Sequence, residues 1–196
     1  MSGSVAAIVA AAGQSRRMGT CKQLLDLGGK TVLARCLDTL LSGGVKQIVV
    51  VVGPGGERVA AEAGRFPVEI AVNQARGGDM ALSVLVGRQR LPPRISGAIV
   101  ALCDYPLVSP ETINYLSVVH TAAPESILIP RHGGRKGHPT LFPVGLLDDL
   151  ACGGTLRDLV HRHQEGVSLL DTGDAGILQD MDTPEDYQRM LKLVNG

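Results

Sequence analysis

The residues best suited to chemistry in this chain fall in a few short segments. The first is Ala10-Ala11-Ala12-Gly13-Gln14-Ser15-Arg16-Arg17-Met18-Gly19, followed closely by Lys22-Gln23-Leu24-Leu25. Small residues let backbone N–H groups come close to an anion, and Arg17 and Lys22 can neutralise phosphate charge, so a triphosphate would fit here. An ordinary strand-to-helix turn with solvated basic side chains is the competing reading, and spacing alone leaves both open. Two other phosphate motifs fail on inspection. Gly29-Lys30-Thr31 ends like a P-loop, but Leu24 stands where its first glycine belongs, and no G-x-G-x-x-G follows the first apolar run.

Two aspartates could share a metal ion. Leu102-Cys103-Asp104-Tyr105-Pro106-Leu107 places Asp104 at the end of an apolar run, where a carboxylate can hold magnesium against phosphates; alone it could equally cap a turn. Met181-Asp182-Thr183-Pro184 puts Asp182 just before a helix start, after the strand-like Ile177–Asp180, and helix capping is its alternative. Two carboxylates meeting over one metal are what in-line phosphoryl or nucleotidyl transfer needs, and no general acid is required when a phosphate oxygen attacks.

Two further segments could complete a site. Arg131-His132-Gly133-Gly134-Arg135-Lys136-Gly137-His138-Pro139-Thr140 packs basic residues and glycines into one loop that could receive an anionic acceptor, with a solvated hairpin as the other reading. His138 could orient an acceptor or serve as a structural hydrogen bonder, while His120, His161 and His163 read as helix-surface residues without zinc-ligand spacing. Arg76-Gly77-Gly78-Asp79-Met80-Ala81-Leu82-Ser83 opens a helix whose amides could meet a ribose or phosphate, and Asp79 could be its N-cap.

These segments sit between elements of two alternating kinds. Val- and Ile-rich runs at Val5–Ala10, Gln47–Val52, Val68–Val72, Ala98–Leu102 and Ser126–Pro130 predict strands. Helices are predicted at Thr31–Ser42, Glu57–Ala63, Asp79–Gln89, Ser109–Thr121, Val144–Leu150, Thr155–His163 and Pro184–Val194. Ser109-Pro110-Glu111 and Thr183-Pro184-Glu185 each supply a capping hydroxyl, a proline at the first helical position and an acid in the first turn. The alternation predicts an α/β fold with a mostly parallel sheet covered by helices, ligands lying beyond the strands' carboxyl ends.

Composition narrows the partners. With 196 residues, 44% hydrophobic, 3% aromatic and no Trp, the chain predicts one domain, residues 1–196, with an aliphatic core. Nineteen basic and nineteen acidic residues cancel without a Lys/Arg run, which argues against nucleic acid or an anionic membrane as partner. The apolar run Val5–Ala12 is followed rather than preceded by basic residues, unlike a secretory signal, and no run reaches roughly 18 apolar residues. Cys21, Cys36, Cys103 and Cys152 form no CxxC pair, and a reducing cytoplasm is the expected location.

Taken together, and in this order, the motifs resemble the molybdenum cofactor nucleotidylyltransferases, and within them the cytidylyltransferase branch, from Val5 to Val194. The family's opening Ala-Ala-Gly-x-Ser-x-Arg-Met-Gly with Lys-Gln-Leu-Leu is matched by Ala11–Gly19 and Lys22–Leu25. Its Gly-Asp-x-Pro-Leu segment corresponds to the residues around Asp104, and its Asp-Ile-Asp-Thr-Pro-Glu-Asp-Tyr ending to Asp180–Tyr187. The resemblance implies a three-layer α/β/α fold with a Rossmann-like nucleotidyltransferase sheet. It implies triphosphate contacts from Arg17 and Lys22, backbone contacts around Ala11, Ala12, Gly13 and Ser15, further nucleotide contacts at Asn73 and Ser83, and Mg2+ held by Asp104 and Asp182. Lys136, Gly137, His138 and Pro139 would meet the acceptor.

Guanylyl-transferring relatives carry Gly where Ala12 stands and lack the segment Lys136–Phe142, so the resemblance implies CTP and a molybdopterin-type acceptor, the product passing to a molybdoenzyme. A GTP-dependent or sugar-phosphate nucleotidylyltransferase is the alternative within the fold, and a non-catalytic cofactor carrier the alternative outside it. Isoprenoid-pathway cytidylyltransferases space their Arg-Met and Lys-Gln pairs differently. The chain departs from the family at Cys21, Asp79, Ala81, Leu82, Cys103 and Tyr105.

Overall fold

The computed structural model describes residues 4–13, 15, 17–75 and 79–195; Gln14, Arg16 and the predicted loop residues Arg76, Gly77 and Gly78 lie outside them. Four strands form its parallel centre: β1 (Ser4–Ala10), β2 (Ile48–Val52), β3 (Glu69–Val72) and β4 (Ile95–Leu102), in the order β3-β2-β1-β4. Around them run α1 (Val32–Ser42), α2 (Glu57–Ala63), α3 (Met80–Arg88), α4 (Pro110–Ala122), α5 (Leu156–Arg162) and α6 (Pro184–Asn195).

β1, β2 and β4 read as nearly unbroken runs of apolar and small residues because helices cover both faces, whereas the edge strand β3 is largely exposed. In β1, Ala7 and Val9 join a core with Leu33, Leu37 and Leu40 of α1, Val59 of α2 and Ile113 and Leu116 of α4. Ala6 and Ile8 point the other way, into a core with Ala81 and Val84 of α3 and Leu159 of α5. A third cluster seats Met190 of α6 against Leu27, Val32 and Met181. Each fully buried Leu, Ile or Val stabilises the fold by about 1.5–3 kcal/mol relative to exposure.

Helix starts follow local chemistry. Thr31 caps α1 by accepting from the Ala34 amide, Ser109 caps α4 with Pro110 next in line, and Thr155 and Asp158 form a reciprocal capping box on α5. Asp79 is the cap of α3, accepting from the amides of Ala81 and Leu82.

The second half of the sheet departs from the sequence reading. Beyond β5 (Ile127–His132) it contains β6 (Arg135–Lys136), which belongs to the hairpin given as the alternative reading, and β7 (Thr140–Pro143) and β8 (Val167–Asp171), neither of them anticipated. β7 runs antiparallel to β4 and β5, β6 antiparallel to β5, and β8 parallel to β5, so the sheet is mixed but mostly parallel. The basic loop Arg131–Thr140 is largely a hairpin: Gly133 and Gly134 take φ of 54° and 79°, the left-handed pair a tight two-residue turn requires. Val144–Leu150 forms a 3-10 helix, extended to Cys152, because Pro143 offers no capping side chain and Gly145 weakens the wider α-form. Ile177–Asp180 is no strand; Ala175–Leu178 is a 3-10 turn capped by Asp174.

His120, read as a surface residue, is fully buried. The end of α4 packs against β4 at Gly97, where an added Cβ would lie 2.6 Å from His120 Nε2, and that nitrogen pairs with Ser96 Oγ at 3.0 Å.

Strand register aligns the loops that matter. Ala10 is level with Val51 and Leu102, and Val52 with Val72, so the loops after β1, β2, β3 and β4 leave the sheet at one edge.

Candidate active site

The loop after β1 is held open by a side chain the sequence reading did not assign. Gln23, 2% exposed, donates from Nε2 to the carbonyls of Ala11 at 3.2 Å and Gly13 at 3.0 Å. Its Oε1 accepts from Ser15 Oγ at 3.3 Å and Cys21 Sγ at 3.2 Å, and Ser15 Oγ accepts from the Lys22 amide at 3.2 Å. Ser15 sits at φ 49°, a left-handed conformation unusual outside glycine and sustained by these bonds. The signal for Gln23 lay in the Lys-Gln-Leu-Leu motif, where a polar residue precedes two leucines.

The loop thus shaped faces two clefts. One, of about 580 Å³, is lined by Ala12, Gly13 and Ser15 on one side and Gly53, Pro54 and Gly55 on the other. The two loops nearly touch, since a Cβ on Gly53 would lie 3.1 Å from the Ala12 carbonyl. The other, of about 90 Å³, is lined by Ala12, Gly13, Lys22, Met80, Ser83 and Asp104.

Four charged residues from three chain regions meet beside the second cleft. Lys22 Nζ donates to Asp104 Oδ2 at 2.8 Å, to Asp182 Oδ1 at 2.9 Å and to the Met181 carbonyl at 3.3 Å. Arg17 reaches Asp182 Oδ2 at 2.6 Å. Lys22 is only 12% exposed, whereas Arg17 is 70% exposed. Burial pulls the Lys22 pKa down, but Asp104 and then Asp182 outweigh it, so the ammonium is held above its ordinary range. Burial likewise opposes ionisation of Asp182, and Lys22 followed by Arg17 overcomes it, leaving that carboxyl below its usual value.

Asp182 is available for this because capping falls to its neighbours. Thr183 Oγ1 accepts from the Asp186 amide at 3.2 Å, and Asp186 Oδ2 accepts from the amides of Thr183 and Asp182. The capping alternative for Asp182 is thereby answered.

The donor set fits a hard divalent cation. Asp104 Oδ1 is buried with no hydrogen-bond partner among the described residues, an arrangement that costs free energy unless something fills it. Among the described residues no cluster of three or more His, Cys, Asp or Glu could hold a metal by itself. Two carboxylates with further oxygens from phosphate are the usual surroundings of Mg2+.

Against this cluster lean Tyr105 and His138, their rings 4.8 Å apart and tilted by 47°. His138 reaches it from the far strands: its amide donates to the Ile177 carbonyl at 2.9 Å, and the Gly137 amide to Pro130 at 2.8 Å. Burial lowers the His138 pKa although Asp104 and Asp180 pull the other way, which keeps the ring neutral. Burial, then Asp180, Asp104 and Asp182, pushes Tyr105 up to about 12. Tyr105 and Asp180 lie inside the segments singled out around Asp104 and Asp182, but the sequence reading gave neither a role at the site.

The remaining expected residues are placed as follows. Ser83 lines the smaller cleft, and buried Asn73 donates to its Oγ at 2.9 Å and accepts from the Ala75 amide at 3.0 Å. Lys136 is exposed on β6, while Gly137 and Pro139 are buried beside His138. Cys103, a departure from the family pattern, is buried against Cys36, which together with burial raises its thiol pKa.

Known proteins share this fold. The chain is 32% identical to nicotine blue oxidoreductase of Paenarthrobacter nicotinovorans over 95% of its own length and 96% of that protein's. It superposes on Rv0371c of Mycobacterium tuberculosis H37Rv with a TM-score of 0.86 at 31% identity, covering 98% and 99% of the two chains. A further structure of that protein, in complex with manganese, aligns with a TM-score of 0.80 at 27% identity, covering 98% and 100%. Residues 7–167 match the MobA-like NTP transferase domain, and the chain belongs to that family.

Proposed function

We propose that the protein is a cytidylyltransferase that moves the cytidylyl group of CTP onto the phosphate of a molybdopterin-type cofactor with Mg2+. The observation that carries this reading is the convergence of Lys22 and Arg17 on two carboxylates, one with an unpartnered buried oxygen. A divalent ion held by Asp104 and Asp182 would supply charge neutralisation on the triphosphate.

The chain's own residues do the rest. Lys22, on its 3-10 turn, and Arg17 exchange their carboxylate partners for phosphate oxygens, and amides around Ala11–Gly13 hold the chain of phosphates. An oxygen of the acceptor's phosphate attacks the α-phosphorus, the bond from that phosphorus to the β-bridging oxygen breaks, and pyrophosphate leaves with the electron pair. No side chain need take a proton, which suits a site whose histidine is held neutral. Gly137–Pro139 and the Tyr105–His138 pair form the wall against which the acceptor is placed. Four free thiols agree with a cytoplasmic enzyme delivering its product to a molybdoenzyme.

The test is pyrophosphate release with Mg2+ and each of the four common ribonucleoside triphosphates, with and without molybdenum cofactor. Release with CTP that requires the cofactor is expected; release with GTP moves the reading to the guanylyl branch, and tight binding without release makes the protein a carrier.

A second reading comes from the 32% identity with a protein named nicotine blue oxidoreductase. In it the phosphate loop, although it lacks the G-x-G-x-x-G pattern, would seat the pyrophosphate of a reduced dinucleotide electron donor, and Asp104 and Asp182 would have no chemical role. Oxidation of that dinucleotide in the presence of a quinoid dye, unchanged in Asp104→Asn, would establish it.

A further inference from the structure

We propose that Lys22 bars free divalent cations from the Asp104–Asp182 pair, so that metal enters the site only together with a triphosphate. The inference rests on the nucleotidyl-transfer reading above and adds the form in which the substrate is accepted: the metal–triphosphate complex, loaded as a unit.

The argument is one of occupancy. An ammonium group has three protons. In Lys22 they have three acceptors, Asp104 Oδ2 at 2.8 Å, Asp182 Oδ1 at 2.9 Å and the Met181 carbonyl at 3.3 Å. The ammonium therefore lies between the two carboxylates that would hold the ion. Mg2+ needs its oxygens at about 2.0–2.1 Å, and that leaves no room for an ammonium between the same pair.

Displacing Lys22 by a bare ion is unfavourable. The side chain is 12% exposed, so an ammonium driven off both carboxylates would remain largely desolvated without a counter-charge. Arg17 and Lys22 together offset the charge of the two carboxylates, so the pair attracts an approaching cation less than two bare carboxylates would. A triphosphate removes both obstacles at once. Its oxygens would give Lys22 and Arg17 new anionic partners beside the loop of Ala11–Gly13, leaving Asp104 and Asp182 free to hold the ion that accompanies it. Asp104 Oδ1, buried and unpartnered, is then available as a ligand without further rearrangement.

The experiment measures bound Mn2+ by the loss of its free-ion paramagnetic resonance signal, with and without the non-hydrolysable α,β-methylene analogue of CTP. The proteins are the wild-type chain, Lys22→Met, Lys22→Gln and the double variant Lys22→Met with Asp182→Asn. Wild type should bind Mn2+ weakly alone and about 5–150-fold more tightly with the analogue, with the analogue tightened by Mn2+ to the same factor. Lys22→Met should raise nucleotide-free Mn2+ affinity by about tenfold or more, which the second substitution should cancel. Lys22→Gln, which keeps a polar group there, should move in the same direction and stands in should Lys22→Met fail to fold by circular dichroism.

Mn2+ binding to wild type equally tight with and without the analogue, or no gain in the Lys22 variants while the analogue still binds, would overturn the inference alone. Failure of the analogue to bind wild type by calorimetry would remove the transfer reading and this inference with it.

Discussion

The main-chain amide of Met181 donates to the carbonyl of Asp104 at 2.8 Å, fastening the segment that precedes α6 to the turn that follows β4. That bond places Asp104 and Asp182 on either side of Lys22. The charge cluster is thus a product of three chain regions meeting, with this backbone bond fixing the approach of two of them.

Asp104→Asn should keep the shape of the turn while removing a carboxylate from the proposed metal pair. Pyrophosphate release is expected to fall about 10²–10³-fold, the range for losing one preorganised electrostatic group at a reacting phosphate. Asp182→Asn should act in the same sense, and steady-state turnover with CTP and cofactor checks both.

Arg17 and Lys22 should differ in kind. Arg17 is 70% exposed and screened, so Arg17→Ala should weaken triphosphate binding by about 0.2–1 kcal/mol, an increase in KM of about fivefold at most. The effect should shrink further with added salt, and the melting temperature should not move. Lys22→Ala, which strips a counter-charge from two partly buried carboxylates, should lower both turnover and melting temperature.

Gln23→Leu should be damaging despite similar volume. It would strand the carbonyls of Ala11 and Gly13 and the Ser15 hydroxyl, at a cost of about 1–3 kcal/mol. Urea unfolding should show that loss, and KM for the triphosphate should rise because Ser15 no longer has support for its left-handed backbone.

His120 should make the fold acid-sensitive. Burial holds its folded pKa below the ordinary value, outweighing the pull of Glu125. The unfolded chain therefore takes up a proton first as pH falls, at about 6.5, and stability drops from there toward the lower folded pKa, remaining flat above. Unfolding free energies measured between neutral and mildly acidic pH should show this slope, and His120→Gln should reduce it.

Gly137→Ala should disturb the acceptor wall. An added Cβ would lie 2.5 Å from the Ile177 carbonyl, forcing apart the strand segment that carries His138. A stability loss of about 1–3 kcal/mol is expected from the overpacking. KM for the acceptor should rise more than KM for CTP.

Much of this protein was legible in its residues alone. The central strands announced themselves because burial on both faces demands unbroken Val and Ile, and Thr31, Asp79, Ser109 and Thr183 marked helix starts because capping is local chemistry. The loop after β1 was singled out for the same reason: small residues beside Arg17 and Lys22 form a local pattern over a span of a dozen positions. β6 was open only as an alternative hairpin, and β7 and β8 were not readable, since short, proline-containing or half-exposed strands owe their pairing to β4 and β5 rather than to their own pattern. Nor was the burial of His120, which depends on Gly97 leaving space on a neighbouring strand. Above all, only the tertiary structure decided that Asp104, Asp182, Lys22 and Arg17 share one site, and that Gln23 holds the loop they border. Charges and hydrogen bonds act through space over a few ångströms, and chain positions so far apart come that close only when level strands deliver their loops to the same edge.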